Sequence, residues 1–330
     1  MTPAKYDILA IGDAIVDVIA TCDDAFLAEQ GLVKGSMQLL DTAEAERLYA
    51  AMGSAQETSG GSAANSMAGI AAMGGRAAFV GQVADDQLGA IFRHDMTALG
   101  VTFATPPLPA EAGKPTGRCL ILVTPDAQRT MNTCPGASHE LSAEALDEAA
   151  IASSAILYLE GYLWGPDKPR RAMLRAVEVA HAAGREIAFT LSESVCIAGR
   201  REGFNRMIAD GGIDLLFANE QEALQLTGDT SLGQAIATLS AKVPCLVVTR
   251  GAEGALAFSE GEGVEIPAPR VERVVDTTGA GDLFAAGFLA ARARGHELAH
   301  CLVTGATAAA EIISHFGARP EADLKTLVRL

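Results

Sequence analysis

Short, nearly unbroken apolar runs recur along this chain at 8–12, 77–81, 155–159, 186–191, 214–218 and 244–249. Runs of this length, ending on glycine or polar residues, predict strands buried on both faces. Between them, apolar positions return every three or four residues, over 43–52, 63–73, 86–99, 170–183, 202–209, 220–227, 232–239, 281–294 and 298–314. That spacing predicts amphipathic helices. Alternating strand and helix implies an α/β fold: a central, mostly parallel sheet flanked by helices. Ligands of such sheets sit beyond the carboxyl ends of the strands. The loops after Ile11, Phe189, Ala218 and Thr249 therefore belong to one rim.

The pattern breaks once. Residues 119–124 and 129–133 flank a Pro125-Asp126 turn and predict an antiparallel hairpin. With the short extended pieces at 14–20 and 36–41, the segment 115–134 is expected to build a small β lid. The whole of 1–330 is expected to form a single domain.

Composition narrows the function. Half the residues are hydrophobic but few are aromatic, so small side chains must do much of the packing. A net charge of -16 argues against nucleic acid or an anionic membrane as partner. Cys22, Cys119, Cys134, Cys196, Cys245 and Cys301 are scattered, with no CxxC pair and no His cluster, so a zinc or redox site is not expected. Free thiols fit a reducing, cytoplasmic setting. No signal-peptide pattern and no membrane-length apolar stretch is seen.

Candidate chemistry centres on Asp276-Thr277-Thr278-Gly279-Ala280-Gly281-Asp282, which leads directly into an apolar helix. A glycine turn at a helix start leaves backbone N–H groups aimed at one point and adds the positive end of the helix dipole. Phosphate is the natural guest. Asp282 would repel a resting phosphate, but it has a task if it takes a proton from a hydroxyl that attacks phosphorus. An ordinary glycine turn capped by Asp has the same composition.

Other loops join it. Gly60-Gly61-Ser62-Ala63-Ala64-Asn65 is a second glycine turn opening a helix, and Asn65 can both donate to and accept from a sugar hydroxyl. Asp13 and Asp17 follow the first strand, where carboxylates can accept from vicinal diols. Asp13 also suits a loop cap, whereas Asp17 sits among apolar residues that would otherwise bury an unpaired charge. Asn219-Glu220-Gln221-Glu222 reads either as a dipole-favoured helix start or as a place where Glu222 holds Mg²⁺ through water. Thr249-Arg250-Gly251-Ala252-Glu253-Gly254 is a strand-end loop whose Thr249 and N–H groups can face nucleotide phosphates.

In this order, these stretches resemble the ribokinase-like (PfkB) family of carbohydrate and nucleoside kinases, over nearly the whole chain. No GxxxxGK[ST] and no GxGxxG is present, which argues against P-loop ATPases and Rossmann dehydrogenases. The resemblance implies that Asp282 is the base, that Gly279, Ala280 and Gly281 form an anion hole, and that Asn219, Thr249, Gly251 and Gly254 contact ATP. It implies Mg²⁺ near Asn219 and Glu222, and an acceptor held by Asp13, Asp17, Gly60, Gly61, Ser62 and Asn65. It places Asp276 and Thr278 at a site for a monovalent cation such as K⁺, and lets Arg129 reach a phosphate from the hairpin.

Within that family the chain is most similar to adenosine kinases, through Ile11-Gly12-Asp13-Ala14-Ile15-Val16-Asp17, Pro115-Thr116-Gly117 and Phe189-Thr190-Leu191-Ser192. Asp13 stands where that branch usually has Asn, and Tyr162-Leu163-Trp164 where a Phe pair often packs on a purine. The expected reaction is ATP-dependent phosphorylation of a nucleoside hydroxyl, the 5′-OH of adenosine foremost. The alternatives are a kinase of ribose or a ketohexose derivative, and a catalytically silent nucleotide- or sugar-binding regulator. The expected assembly is a monomer or homodimer.

Overall fold

Strand Tyr6–Ile11 is buried along almost its whole length and pairs in parallel on both sides, Ile8 opposite Ala77 on one and Ile156 on the other. It lies within a nine-stranded sheet ordered Glu262–Ile266, Ala255–Ser259, Cys245–Thr249, Leu215–Asn219, Glu186–Thr190, Ser154–Glu160, Tyr6–Ile11, Ala77–Val80, Thr102–Phe103. The seven strands from Cys245–Thr249 to Thr102–Phe103 run parallel, and the last hairpin adds two antiparallel strands at one edge. The molecule is described by a computed structural model covering residues 4–126 and 128–330. Residues 1–3 and Ala127, which falls in the expected hairpin, lie outside the described residues.

Successive strand residues point to opposite faces, and each face has its own helical cover. Ile8, Ala10, Phe79, Tyr158, Phe217 and Val247 pack with helices Ser62–Ala72, Ala280–Arg292 and Leu298–Ile312. Leu9, Ile11, Leu157, Phe189, Leu216 and Val248 pack with Asp167–Ala182, Arg201–Ala209 and Leu232–Ser240. The abundance of small residues has a local use here. A Cβ on Gly287 would lie 2.6 Å from the Thr304 carbonyl oxygen, so helices Ala280–Arg292 and Leu298–Ile312 meet backbone to backbone.

A second, five-stranded sheet is ordered Met37–Leu39, Arg129–Cys134, Gly117–Val123, Ile15–Thr21, Ala55–Gly60. Its last strand carries no apolar run (Ala-Gln-Glu-Thr-Ser-Gly) and was not expected from the pattern. It pairs antiparallel with Ile15–Thr21, placing Asp17 opposite Thr58 and Ile15 opposite Gly60. This strand delivers the chain into the Gly60-Gly61 turn.

The six cysteines are all free. Among the described residues, no helix is long and apolar enough to cross a membrane.

Candidate active site

Asp282 lies in the first turn of helix Ala280–Arg292, whose N-cap, Gly279, is left-handed at φ 78°. Its carboxylate is held from helix Ser62–Ala72: Ser62 Oγ donates to Oδ1 at 2.6 Å and Asn65 Nδ2 to Oδ2 at 2.9 Å. Ser66 Oγ donates to the Asp282 carbonyl at 3.0 Å. Burial raises the Asp282 pKa, opposed by Ser62, Asn65 and the charge of Arg319. A carboxylate so held is aimed, ionisable, and a stronger base than one in water. Ala280 N–H donates to Thr277 O at 3.2 Å, so one expected anion-hole donor already has a partner. Among the described residues, the N–H groups of Gly281 and Asp282 make no hydrogen bond, and a Cβ on Gly281 would meet nothing within 4 Å. These donors and the open space beside them fit a phosphoryl group.

The Gly60-Gly61 turn sits against the strand that carries Asp17. A Cβ at Gly60 would meet the Asp17 carboxyl carbon at 2.5 Å. Gly61 has φ 94° and a Cβ there would lie 2.2 Å from Asp13 O, so only glycine fits. Burial pushes the Asp17 carboxyl up to about 6, with Arg319 and Arg129 pulling it down and Asp282 adding to the rise. Asp13 is 7% exposed and accepts from Ser138 Oγ at 2.8 Å.

Asn219 and Glu222 form a reciprocal cap on helix Glu220–Thr227. Glu222 N–H donates to Asn219 Oδ1 at 2.9 Å, while Asn219 N–H and Nδ2 donate to the two Glu222 oxygens at 2.9 and 2.8 Å. Burial pushes Glu222 up to about 7. Asn219 lies opposite Thr249 at the carboxyl ends of neighbouring parallel strands, so both belong to the rim. Gly251 (φ 55°) is open around its Cβ position, whereas Gly254 (φ 92°) is pressed against Ile266 O. Among the described residues, no cluster of three acidic, His or Cys side chains could cage a metal. Both Glu222 oxygens accept from Asn219, which suits the carboxylate to a metal's water rather than to the metal itself.

Asp276 and Thr278 do not present a free cation site. Arg129 Nη1 donates to Asp276 Oδ2 and to Thr278 Oγ1. Gly317 N–H takes the same Oδ2 at 3.0 Å, and Thr278 N–H and Oγ1 take Oδ1 at 3.0 and 2.7 Å. Burial would raise Asp276, but the donors at Gly317 and Thr278 and the Arg129 charge hold it below the usual carboxylate range. Arg129, expected to reach a phosphate, bonds this carboxylate. Trp164 is 4% exposed and stacks on Phe204 at 5.2 Å between ring centroids, a core position that leaves it no face for a purine.

Two residues without a motif of their own complete the cleft. Glu160, fully buried at the end of its strand, accepts from Asp13 N–H at 2.6 Å and Ala63 N–H at 2.7 Å. Burial and the neighbouring Asp13 hold its pKa well above the usual value. Arg319 reaches the same turn, donating to Ser59 O at 2.8 Å, Ser59 Oγ at 3.0 Å and Ala64 O at 3.2 Å. A Glu closing an apolar strand was the one available signal for the first; nothing near Arg319 in sequence marks the second.

Comparison with known proteins gives the family. The adenosine kinase from Sinorhizobium meliloti is 48% identical, with TM-score 0.90 and 98% of each chain covered. A probable sugar kinase from Rhizobium etli CFN 42 is 42% identical, with TM-score 0.91 over 98% of this chain and 97% of that one. Among curated proteins, the 5-dehydro-2-deoxygluconokinase of Shouchella clausii is 27% identical over 318 residues, 94% of this chain and 90% of its own. A model described as pfkB family carbohydrate kinase matches residues 7–325, running through both glycine turns and the Asp282 loop. On that match, this chain belongs to the pfkB family of carbohydrate kinases.

Proposed function

We propose that this kinase phosphorylates a primary hydroxyl of a nucleoside, with the 5′-OH of adenosine as acceptor. The observation that carries the reading is the 48% identity to an adenosine kinase over nearly the full length of both chains. A sugar acceptor such as ribose or a ketohexose derivative is the second reading, favoured by the probable sugar kinase at 42% and the curated sugar kinases at 27%.

In this reading Asp282 accepts the proton of the attacking hydroxyl while Ser62 and Asn65 fix its carboxylate. The acceptor is held by Asp17, Asn65 and the backbone of the Gly60-Gly61 turn, with Asp13 and Ser62 shaping the pocket. The N–H groups of Gly279 and Gly281, with that of Asp282 itself, stabilise charge on the phosphoryl group, and positioning with charge stabilisation carries most of the rate. Asn219, Thr249, Gly251 and Gly254 line the nucleotide end of the rim, and Glu222 meets the metal through water. ATP supplies the phosphoryl group and Mg²⁺ neutralises its charge. The five-stranded sheet, which carries Asp17 and Arg129 to the site, serves as a lid on one kinase domain. K⁺ has no place in the reading, because the Arg129 guanidinium already occupies Asp276 and Thr278.

The test is ATP consumption with a panel of nucleosides and free sugars. Adenosine should be turned over fastest. Turnover of ribose or fructose without adenosine would replace the acceptor, and no turnover with any acceptor would point to a binding protein. Asp282→Asn should lower kcat by about a thousandfold or more while acceptor binding survives; activity within about tenfold of wild type would remove the base.

A further inference from the structure

Arg319 lies between helix Leu298–Ile312 and the short helix Leu324–Leu327, past every glycine loop. Its three hydrogen bonds fall on two residues that bracket the Gly60-Gly61-Ser62 turn. Ser59 is the last residue but one of the incoming strand, and Ala64 is the third residue of the outgoing helix. The guanidinium therefore joins the two arms of the turn. Glu160 joins the turn to the Asp13 loop, through Ala63 N–H and Asp13 N–H. What the turn presents is Ser62 and Asn65, the two donors to Asp282. A planar fork with fixed donors suits such a clamp better than an ammonium.

The clamp is also charged. Asp282 faces Ser62, Asn65 and Ser66 from helix Ser62–Ala72, Asp17 from the small sheet, Glu160 and Tyr158 from strand Ser154–Glu160, and Tyr162 beyond it. Arg319 is the positive charge that acts on both Asp282 and Asp17. Burial brings Arg319 down to about 10, so it still carries its proton at neutral pH.

We propose that Arg319 is a positioning residue for the phosphoryl transfer: it clamps the Gly60-Gly61-Ser62 turn so that Ser62 and Asn65 hold Asp282, and its charge favours the ionised carboxylate. This rests on Asp282 being the base.

The experiment compares Arg319→Met and Arg319→Lys with wild type, reading kcat, KM for ATP, the pH dependence of kcat and the melting temperature. Arg319→Met should lower kcat by about a hundredfold, the scale expected when a catalytic group is misplaced. It should also move the acidic limb of the profile up by about one pH unit, because a compensating charge is gone, and leave KM for ATP within about threefold. Arg319→Lys should keep the limb at its wild-type pH while kcat stays about tenfold low, the charge being retained and the fork lost. The inference is overturned if Arg319→Met keeps kcat within about threefold with an unmoved limb, or if both variants lose melting temperature alone. Should Arg319→Met fail to fold, Arg319→Lys decides, and wild-type kcat in that variant overturns the proposal. An active Asp282→Asn enzyme would instead sink the base assignment, so the two failures are told apart.

Discussion

Buried carboxylates set the character of this cleft. Asp13, Asp17, Glu160, Glu222 and Asp282 are all raised above their ordinary pKa values, with burial the largest cause in each. Each costs stability once ionised. For Asp17 the sign is direct: the unfolded carboxyl ionises near 3.8 and the folded one near 6. Stability from the neutral folded form is complete below the lower value and lost as pH rises through the upper one. Asp17→Asn should therefore stabilise the fold at pH about 8 by roughly 1–3 kcal/mol and leave it unchanged near pH 3, while weakening acceptor binding. Urea melts at the two pH values check the first part and KM for the acceptor the second. Equal stabilisation at both would mean that packing, not charge, sets the effect.

The elements show what could be read from the residues alone. Apolar runs revealed the parallel strands and three-to-four-residue spacing the helices, because both periodicities are imposed by burial. Strand Ala55–Gly60 escaped, since its first four residues are exposed or half-buried, all but Ala55 are polar, and only its pairing with Ile15–Thr21 makes it a strand. Thr102–Phe103 escaped because two residues, one exposed and one buried, are too few to show a period at the far edge of the large sheet. In the site, Asp282, Ser62 and Asn65 stand in glycine turns with their own local signal. Glu160 and Arg319 act on backbone atoms 97 to 260 positions away, and no local pattern encodes such a partner. The Gly60-Gly61 turn is where element and site depend on one residue. Gly61→Ala should cost roughly 2–4 kcal/mol, since the backbone is at positive φ and the new methyl meets Asp13 O. Denaturant unfolding measures that loss, and activity should fall with it; a stable, active variant would mean the turn can relax.

Across the whole molecule, Arg129 is one tie between the two sheets' territories, beside that of Arg319 to Ser59. It leaves the small sheet and ends on the loop that opens helix Ala280–Arg292. Arg129→Met would leave the Asp276 carboxylate, 4% exposed, without its cation, at a cost of roughly 3–5 kcal/mol. K⁺ should restore part of that loss in the variant by binding the folded state, and should not move the wild-type melt when it replaces tetramethylammonium. A wild-type melt that rises with K⁺ would show an alkali-metal site elsewhere.

The bonds that complete this cleft join Asp13 to Glu160 across 147 positions, Ser62 to Asp282 across 220 and Ser59 to Arg319 across 260. Contacts so distant in the chain form late, because each closes a long loop before any packing rewards it. A refolding chain should therefore regain helical signal before it regains the power to bind an acceptor. During synthesis the early glycine turn must wait, undocked, for a segment made some two hundred and sixty residues afterwards.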